Sequence, residues 1–510
     1  MQFAVCGAGT MGQGIAQVCA QAGYEVWLYD PIAEARERAQ QALQDILEHL
    51  QQRGRLRESA AAILQRIHKV DTLTALPQVT VVFEAAPERL ELKQRLLAEL
   101  AAHLPDAILA SNTSTLSITS IASAVPEPSR VIGMHFFNPA PLMALVEVIP
   151  GLRSSETVCA QAMDIAHALG KMPVQASDSP GFIVNRVARP FYLEALALHA
   201  EGLSCQTIDT VMRSLGFRMG PFELMDVIGL DVNLASSQHV YEAFFYHPRY
   251  RPQPLQQRLV EAGQLGRKSG QGFYQHPYQR PDLPQRNKQA RLPQAYLSGA
   301  NASNRSLADA LRSSLSFSDS VEEASVVLQL SAEPLPPELL QLPVLHFAAY
   351  GSASAIAARY RQRGHRNLVA TFSLLPPLHD SSMVELFAPL GNNDMATLEA
   401  AERYFAAHGL PSMRLPDMAA GVGLRVLARL INEAVSALHE QLSSAEGIDH
   451  AMRLGVNYPL GPLAWSERLG LATVYSALQQ LYQEGADPAY APQPLLSRMV
   501  AAGLERWQER

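Results

Sequence analysis

The chain has 510 residues, 48% hydrophobic and 17% charged, with 41 Lys+Arg against 48 Asp+Glu for a formal charge of −7. At about 150 residues per domain that suggests three or four domains, and the composition can bury large cores, which excludes a disordered chain. The acidic balance gives no general attraction to nucleic acid or to an anionic membrane, and no apolar run approaches the ~18 residues of a membrane helix.

Residues 2–6 predict a short buried strand running directly into a glycine turn, with no basic start and no cleavage region, so no signal peptide is expected. The turn is Gly7-Ala8-Gly9-Thr10-Met11-Gly12, a G-x-G-x-x-G, followed by a helical stretch through Ala20 that Gly23 stops, and by a second strand, Glu25–Asp30. The glycines serve three physical needs, namely a tight turn, close backbone approach to a pyrophosphate, and close packing of helix on strand. The helix N-terminus then offers unpaired N–H groups to phosphates. Asp30, 18 residues beyond Gly12, is placed to accept hydrogen bonds from a ribose 2′-OH, and Pro31-Ile32-Ala33 offers no arginine for a 2′-phosphate. The predicted cofactor is NAD rather than NADP.

Residues 33–70 predict two helices in a hairpin, with Arg53, Arg55 and Arg57 at or near its turn. Two readings stay open: a solvated helix tip, or an arm meeting the phosphates of a large anionic substrate. Val79–Phe83 predicts a strand, followed by Glu84-Ala85-Ala86-Pro87-Glu88 and a helix containing Lys93. Ala107–Ala110 predicts another, ending in Ser111-Asn112-Thr113-Ser114-Thr115; then come Arg130–Pro139 and Leu145–Val148. In a doubly wound α/β sheet, polar residues at strand C-termini face the cofactor crevice, where Ser114, His135 and Asn138 would stand. The four cysteines (Cys6, Cys19, Cys159, Cys205) match neither a metal spacing nor a disulfide framework, so no metal is expected and a reduced, cytoplasmic protein is.

The sequence resembles the L-3-hydroxyacyl-CoA dehydrogenase family. The resemblance rests on Ser111-Asn112-Thr113-Ser114, His135-Phe136-Phe137-Asn138-Pro139 and Glu147, and continues in Asp178–Arg186 and Gly266–Tyr274, covering residues 1–280 almost throughout. It implies an acyl-CoA substrate, with His135 as catalytic base, Glu147 as its partner, and Ser114 and Asn185 at the substrate's reacting end. It also implies that Asn112, Ser114, Asn138, Glu88, Lys93 and Lys268 hold cofactor-contacting positions. The chemistry asks for these residue types independently. Alcohol oxidation needs a base near neutral pH, a carboxylate that fixes the imidazole tautomer, and donors for the developing carbonyl oxygen. The beta-hydroxyacid dehydrogenases share the glycine turn but place a lysine four residues before an asparagine. Gly181 stands there relative to Asn185.

Prolines 277, 281, 284 and 293 mark a linker, and beyond it the chain repeats itself. Glu194-Ala195 reappears as Glu433-Ala434, Ile208-Asp209 as Ile448-Asp449, Gly220-Pro221 as Gly461-Pro462, and Gly229-Leu230 as Gly470-Leu471. Further upstream Glu147 matches Glu385, while His135 becomes Ser373, Asn138 becomes Pro376 and Asn185 becomes Leu424; chance similarity stays open for this part. Residues 300–370 hold no G-x-G-x-x-G. The expected organisation is an NAD-binding doubly wound α/β (Rossmann) domain over 1–180, a helical domain over 181–280, a linker over 281–299, a degenerate Rossmann-like segment over 300–415, and a second helical domain over 416–510. The second helical copy is expected to cover the first as an internal pseudo-partner, with homo-oligomerisation left open.

The expected reaction converts (S)-3-hydroxyacyl-CoA and NAD⁺ to 3-oxoacyl-CoA and NADH. With a strand expected from residue 2, no hydratase domain is expected ahead of the fingerprint, and the tandem layout resembles the dehydrogenases of bacterial phenylacetate catabolism, whose substrate is 3-hydroxyadipyl-CoA. The near alternative is 3-hydroxybutyryl-CoA. A rival of another class, a non-catalytic NAD-binding protein like the crystallin-type relatives, is disfavoured by the intact His135 and Glu147.

Overall fold

The computed structural model describes residues 1–283, 292–364, 369–391 and 395–509. The chain divides into two compact units, one of residues 1–186 with 440–456 and one of residues 187–439 with 457–510.

The first unit is built on eight strands: β1 (Gln2–Cys6), β2 (Glu25–Tyr29), β3 (Ile67–Val70), β4 (Val81–Glu84), β5 (Ile108–Ser111), β6 (Val131–Phe136), β7 (Leu145–Pro150) and β8 (Met172–Gln175). Their order is β3-β2-β1-β4-β5-β6-β7-β8. Phe3, Val5, Val81, Phe83, Ile132 and Met134 are all buried, as strands covered on both faces require. All neighbours are parallel except β6 and β7. Only residues 137–144 join those two, too few for the crossover a parallel pair needs. The predicted helical hairpin is shorter than expected. Helices cover Ala33–Gln52 and Ala60–Gln65, but residues 67–70 pair with the free edge of β2 as a strand, because tertiary pairing overrides a helical pattern at its end.

The second unit carries six strands: β9 (Gln294–Ser298), β10 (Ala324–Gln329), β11 (Val344–Phe347), β12 (Val369–Ser373), β13 (Val384–Phe387) and β14 (Ser412–Leu415), in the order β14-β13-β12-β11-β10-β9. Again one pair, β12 with β13, is antiparallel. Among the described residues the last strand of the sheet is β9; on its far side only a single parallel bridge, Ala295 with Phe317, stands where β2 flanks β1. Two expected boundaries are corrected. The linker does not reach residue 299, because residues 294–298 form β9 with Ala295 fully buried; the polar flanks Gln294 and Ser298 disguised it. Pro284 and the rest of 284–291 lie outside the described residues. The second helical region, expected as one block over 416–510, is divided: residues 440–456 belong to the first unit.

Within the second unit, the helix Arg189–Ala200 packs against Gly421–His439, and the contact is reciprocal. Tyr490 Oη donates to Glu194 at 2.7 Å, and Tyr250 Oη donates to Glu433 at 2.7 Å. Glu194 and Glu433 are the repeat-related pair found in the sequence, so the two copies meet as the halves of an isologous interface do. Glu194 is fully buried. Burial alone would raise its carboxyl, but Arg425 and Arg429 hold it below the usual carboxylate range.

Candidate active site

His135 and Glu147 stand directly opposite one another in the β6–β7 ladder, and residues opposite across such a pair project side chains to the same face. His135 Nδ1 lies 2.7 Å from Glu147 Oε2, with both side chains buried. The other oxygen, Oε1, accepts hydrogen bonds from the backbone N–H groups of Ile183 (2.9 Å) and Val184 (3.0 Å). Those two amides open the short helix Val184–Val187 after a sharp bend in which Gly181 has φ +75° and Phe182 φ +48°. A phenylalanine in the left-handed region is strained, and it persists because burial of its ring and the amide–carboxylate bonds fix the turn. Phe137 and Phe182 flank the imidazole, with ring centroids 4.4 and 5.9 Å from it. A carboxylate anchored by two amides fixes the Nδ1–H tautomer and leaves Nε2 as the basic nitrogen.

Ser114 and Asn185, 71 residues apart, are brought together: Asn185 Nδ2 donates to the Ser114 carbonyl at 3.2 Å. Glu88 gathers the loop that carries Ser114. Its Oε1 accepts from the Thr113 hydroxyl (2.6 Å), the Ser114 amide (2.9 Å) and the Thr115 hydroxyl (2.9 Å). Against its partial burial, Lys93 and these donors hold the Glu88 carboxyl below its usual range. Lys93, expected as a cofactor contact, is buried and commits its donors to Glu84 (2.8 and 3.1 Å) and the Ala86 carbonyl (3.1 Å), with Glu88 Oε2 at 3.2 Å. Glu84 went unnoticed in the sequence. It is a fully buried acid at the end of β4 that also accepts from the Ser111 hydroxyl and the Ala86 amide, and a buried lysine nine residues later is the signal that finds it. Asn112 Oδ1 accepts from the Phe136 amide at 2.8 Å and ties the end of β5 to β6, while Asn138 is exposed just beyond β6.

The glycine turn fits a pyrophosphate. A Cβ on Gly12 would lie 1.8 Å from the Gly7 carbonyl oxygen, and Gly7, at φ +116°, would drive one to 2.4 Å from the Ala85 oxygen. Any side chain at either place would push the turn apart. The helix Thr10–Gln21 starts at Gly9 with no side-chain cap, which leaves its first amides to a ligand. Asp30 Oδ2 accepts from the Ala8 amide (2.8 Å) and Oδ1 from the Ile32 amide (2.9 Å), so each oxygen keeps a lone pair for a ribose hydroxyl. Residues 31–33 hold no arginine, but one from farther along the chain approaches this corner. Arg36 donates to the Asp30 carbonyl and pairs with Asp71 at 2.6 Å. One helical turn beyond residues 31–33, it is too far along the chain for the dipeptide neighbourhood to reveal it.

Arg53 caps the helix Ala33–Gln52 and is exposed, as are Arg55 and Arg57, with Gly54 at φ +63° making the turn. Lys268 lies in the second unit, exposed and paired with Asp231 at 2.6 Å.

The second sheet preserves the frame of this site without its chemistry. Ser373 stands opposite Glu385 as His135 stands opposite Glu147. Glu385 accepts from the amides of Val422 (2.6 Å) and Gly423 (3.1 Å), and the bend before them again has two positive φ values, at Ala420 and Gly421. Without a cation opposite, burial pushes its carboxyl up to about 7. A worn glycine turn also exists, straddling residue 300. Ser298 pairs with Gln329 as Cys6 pairs with Glu84, which aligns Ser298-Gly299-Ala300-Asn301-Ala302-Ser303-Asn304 with Cys6–Gly12. Asn304 occupies the place of Gly12. Its side chain donates to the Gly299 carbonyl (3.0 Å) and the Leu330 carbonyl and accepts from the Asn301 amide (2.8 Å). An amide that would meet a phosphate is thus already bonded.

Among the described residues no helix is long and apolar enough to cross a membrane. Residues 2–179 match the 3-hydroxyacyl-CoA dehydrogenase NAD-binding domain, and residues 181–276 and 422–509 each match the 3-hydroxyacyl-CoA dehydrogenase C-terminal domain. The chain is 38% identical over 508 residues, 98% of both chains, to the 3-hydroxyadipyl-CoA dehydrogenase of Escherichia coli K12. The crystal structure of a protein described as 3-hydroxybutyryl-CoA dehydrogenase from Escherichia coli K12 matches with a TM-score of 0.83 and 35% identity, covering 99% of this chain and 98% of that one. A probable 3-hydroxybutyryl-CoA dehydrogenase of Deinococcus radiodurans is 40% identical over 279 residues, 54% of this chain and all of its own. The chain belongs to the 3-hydroxyacyl-CoA dehydrogenase family and is an NAD-dependent dehydrogenase of that family.

Proposed function

We propose that the chain oxidises (S)-3-hydroxyadipyl-CoA, a 3-hydroxyacyl-CoA whose acyl chain ends in a carboxylate, to its 3-oxo product. The end-to-end likeness to a 3-hydroxyadipyl-CoA dehydrogenase carries this reading, because the single-copy butyryl relative spans about half the chain. Part of the reading is a cytoplasmic location, where acyl-CoA and NAD are both at hand.

His135 Nε2 takes the proton of the C3 hydroxyl as that oxygen becomes a carbonyl. Glu147 holds Nδ1–H and stabilises the imidazolium that results, while the Ile183 and Val184 amides keep the carboxylate from turning away. Ser114 and Asn185 orient the hydroxyl and then the carbonyl oxygen. When bound, NAD would supply the acceptor for the hydride leaving C3. The turn Gly7–Gly12 and the first amides of the helix Thr10–Gln21 would hold its pyrophosphate, and Asp30 its adenine ribose. Glu88, Asn112 and Asn138 are read as cofactor-side residues, Lys93 as acting there through the Glu84 and Glu88 carboxylates it holds, and Arg53 as a contact of the CoA phosphates. The second helical copy acts as an internal pseudo-partner, supported by the reciprocal Tyr250–Glu433 and Tyr490–Glu194 bonds.

Comparing kcat/KM for 3-hydroxyadipyl-CoA and 3-hydroxybutyryl-CoA tests the substrate. A site that recognises the terminal carboxylate should favour the first by about 10-fold or more. Preference for the butyryl substrate supports the second reading, which the description of the Escherichia coli crystal structure favours.

A further inference from the structure

Residues 440–456 come from the second helical copy, yet they are part of the first unit. Three hydrogen bonds fasten the start of this segment beside the end of β8. The Ser177 amide donates to the Leu442 carbonyl (2.8 Å), the Ser177 hydroxyl to the Gln441 carbonyl (3.0 Å), and the Ser443 hydroxyl to the Gln175 carbonyl (2.7 Å). The helix that follows, Ala445–Val456, packs on β7 and β8. At its far end Gly455 lets the backbone settle against the dyad's neighbours. A Cβ there would lie 2.8 Å from Leu145, 2.9 Å from Val184 and 3.6 Å from Phe137.

Fixed in this way, Glu440 meets Arg186, the residue after Asn185. Arg186 Nη1 and Nη2 donate to Glu440 Oε2 and Oε1, both at 2.8 Å, and the guanidinium is buried. A bidentate fork fixes an arginine in orientation as well as distance. It is held one residue from the amide that reaches the Ser114 carbonyl and two from the amide that holds Glu147. We infer that Glu440, supplied by the second helical copy, is a positioning residue that acts through Arg186 to hold Asn185 and the Val184 amide in place.

The repeat supplies its own control. Arg425 stands 239 residues after Arg186, and Glu201 stands 239 before Glu440; Arg425 donates to both Glu201 oxygens. The two forks are equivalent in design, but Leu424 occupies the place of Asn185, so the second fork has no site to arrange. A fork kept only for the contact between the copies should matter alike at both places. A fork that serves the reaction should matter to turnover at one.

The inference rests on the proposed roles of His135 and Asn185, and the experiment separates the two. Full-length Glu440→Gln, Glu201→Gln and His135→Gln are compared for kcat, KM for acyl-CoA and thermal unfolding. Glu440→Gln is expected to lower kcat about 10-fold with KM little changed, the scale of a small misplacement at the reacting centre. Glu201→Gln is expected to lower the unfolding temperature without changing kcat. Equal losses of kcat in both glutamate variants, or unchanged kcat in Glu440→Gln, overturn the inference. Near-normal turnover in His135→Gln overturns the reading of the site instead. If Glu440→Gln does not fold, Glu440→Asp decides: a carboxylate one methylene shorter should lower kcat about threefold at unchanged KM, and unchanged kcat overturns the inference.

Discussion

Ser373 faces Glu385 across an antiparallel ladder in the register that sets His135 opposite Glu147. The second copy has thus kept a buried carboxyl and its two backbone donors while losing the imidazole beside it. An acid with no cation opposite is costly to ionise, and burial raises its folded pKa to about 7.

The sign of the resulting pH dependence follows. The folded state keeps the Glu385 proton to higher pH than the unfolded chain does, so the stabilising contribution is complete below about 4.5 and lost as pH rises through about 7. Glu385→Gln should therefore be more favourable at pH 8.5 than at pH 4.5 by roughly 2–3 kcal/mol, on top of a pH-independent cost because its NH2 cannot accept from one of the Val422 and Gly423 amides. Turnover should be unaffected. Unfolding free energies of both proteins at the two pH values check this, and an effect equal at both would show that Glu385 is satisfied as an anion.

Asp30 holds the Ala8 amide as well as facing the predicted ribose site, so replacing it with alanine would disturb the turn too. Asp30→Asn keeps an acceptor for that amide and removes the charge. It should weaken NAD binding and narrow the preference for NAD over NADP, since the charge that repels a 2′-phosphate is gone. Steady-state kinetics with both cofactors measure the ratio; unmodified protein preferring NADP would contradict the role given to Asp30.

The exposed turn with Arg53, Arg55 and Arg57 lies on an otherwise acidic chain. Arg53→Glu should raise KM for the acyl-CoA and spare an N-acetylcysteamine thioester, which lacks the CoA phosphates. Equal effects on both substrates would leave the arm a solvated helix tip.

The second glycine turn is closed by Asn304, and among the described residues the place of β2, whose end carries Asp30 in the first unit, is reduced to the single Ala295–Phe317 bridge. Calorimetry of the full chain should find one NADH per chain, and a stoichiometry of two would show that Asn304 does not block the turn.

The legible parts of the fold are those whose signal is local. The strand, glycines, helix and acid of residues 2–30 are tied together by short spacings, and each is where its spacing put it. The His135–Glu147 pairing came from resemblance, because no periodicity announces which residues of two strands will stand opposite. Glu84 looked like any acid in a βα loop until its strand neighbours placed Lys93 and Ser111 against it. The worn turn at 298–304 escaped because Asn301 and Asn304 have replaced the glycines that would mark it. The transfer of residues 440–456 to the first unit was illegible for another reason. Both copies of that helix have the same amphipathic design, and only tertiary packing decides that the second copy covers β7 and β8.

In the proposed mechanism one dyad, His135 with Glu147, performs the proton transfer for the whole chain. The most direct test is turnover of His135→Gln, followed through NADH absorbance with an acyl-CoA substrate, alongside a binding titration with NADH. Loss of the base should lower kcat by at least ~10²-fold while NADH still binds with nearly unchanged affinity. A variant that turns over at a near-normal rate would contradict the account.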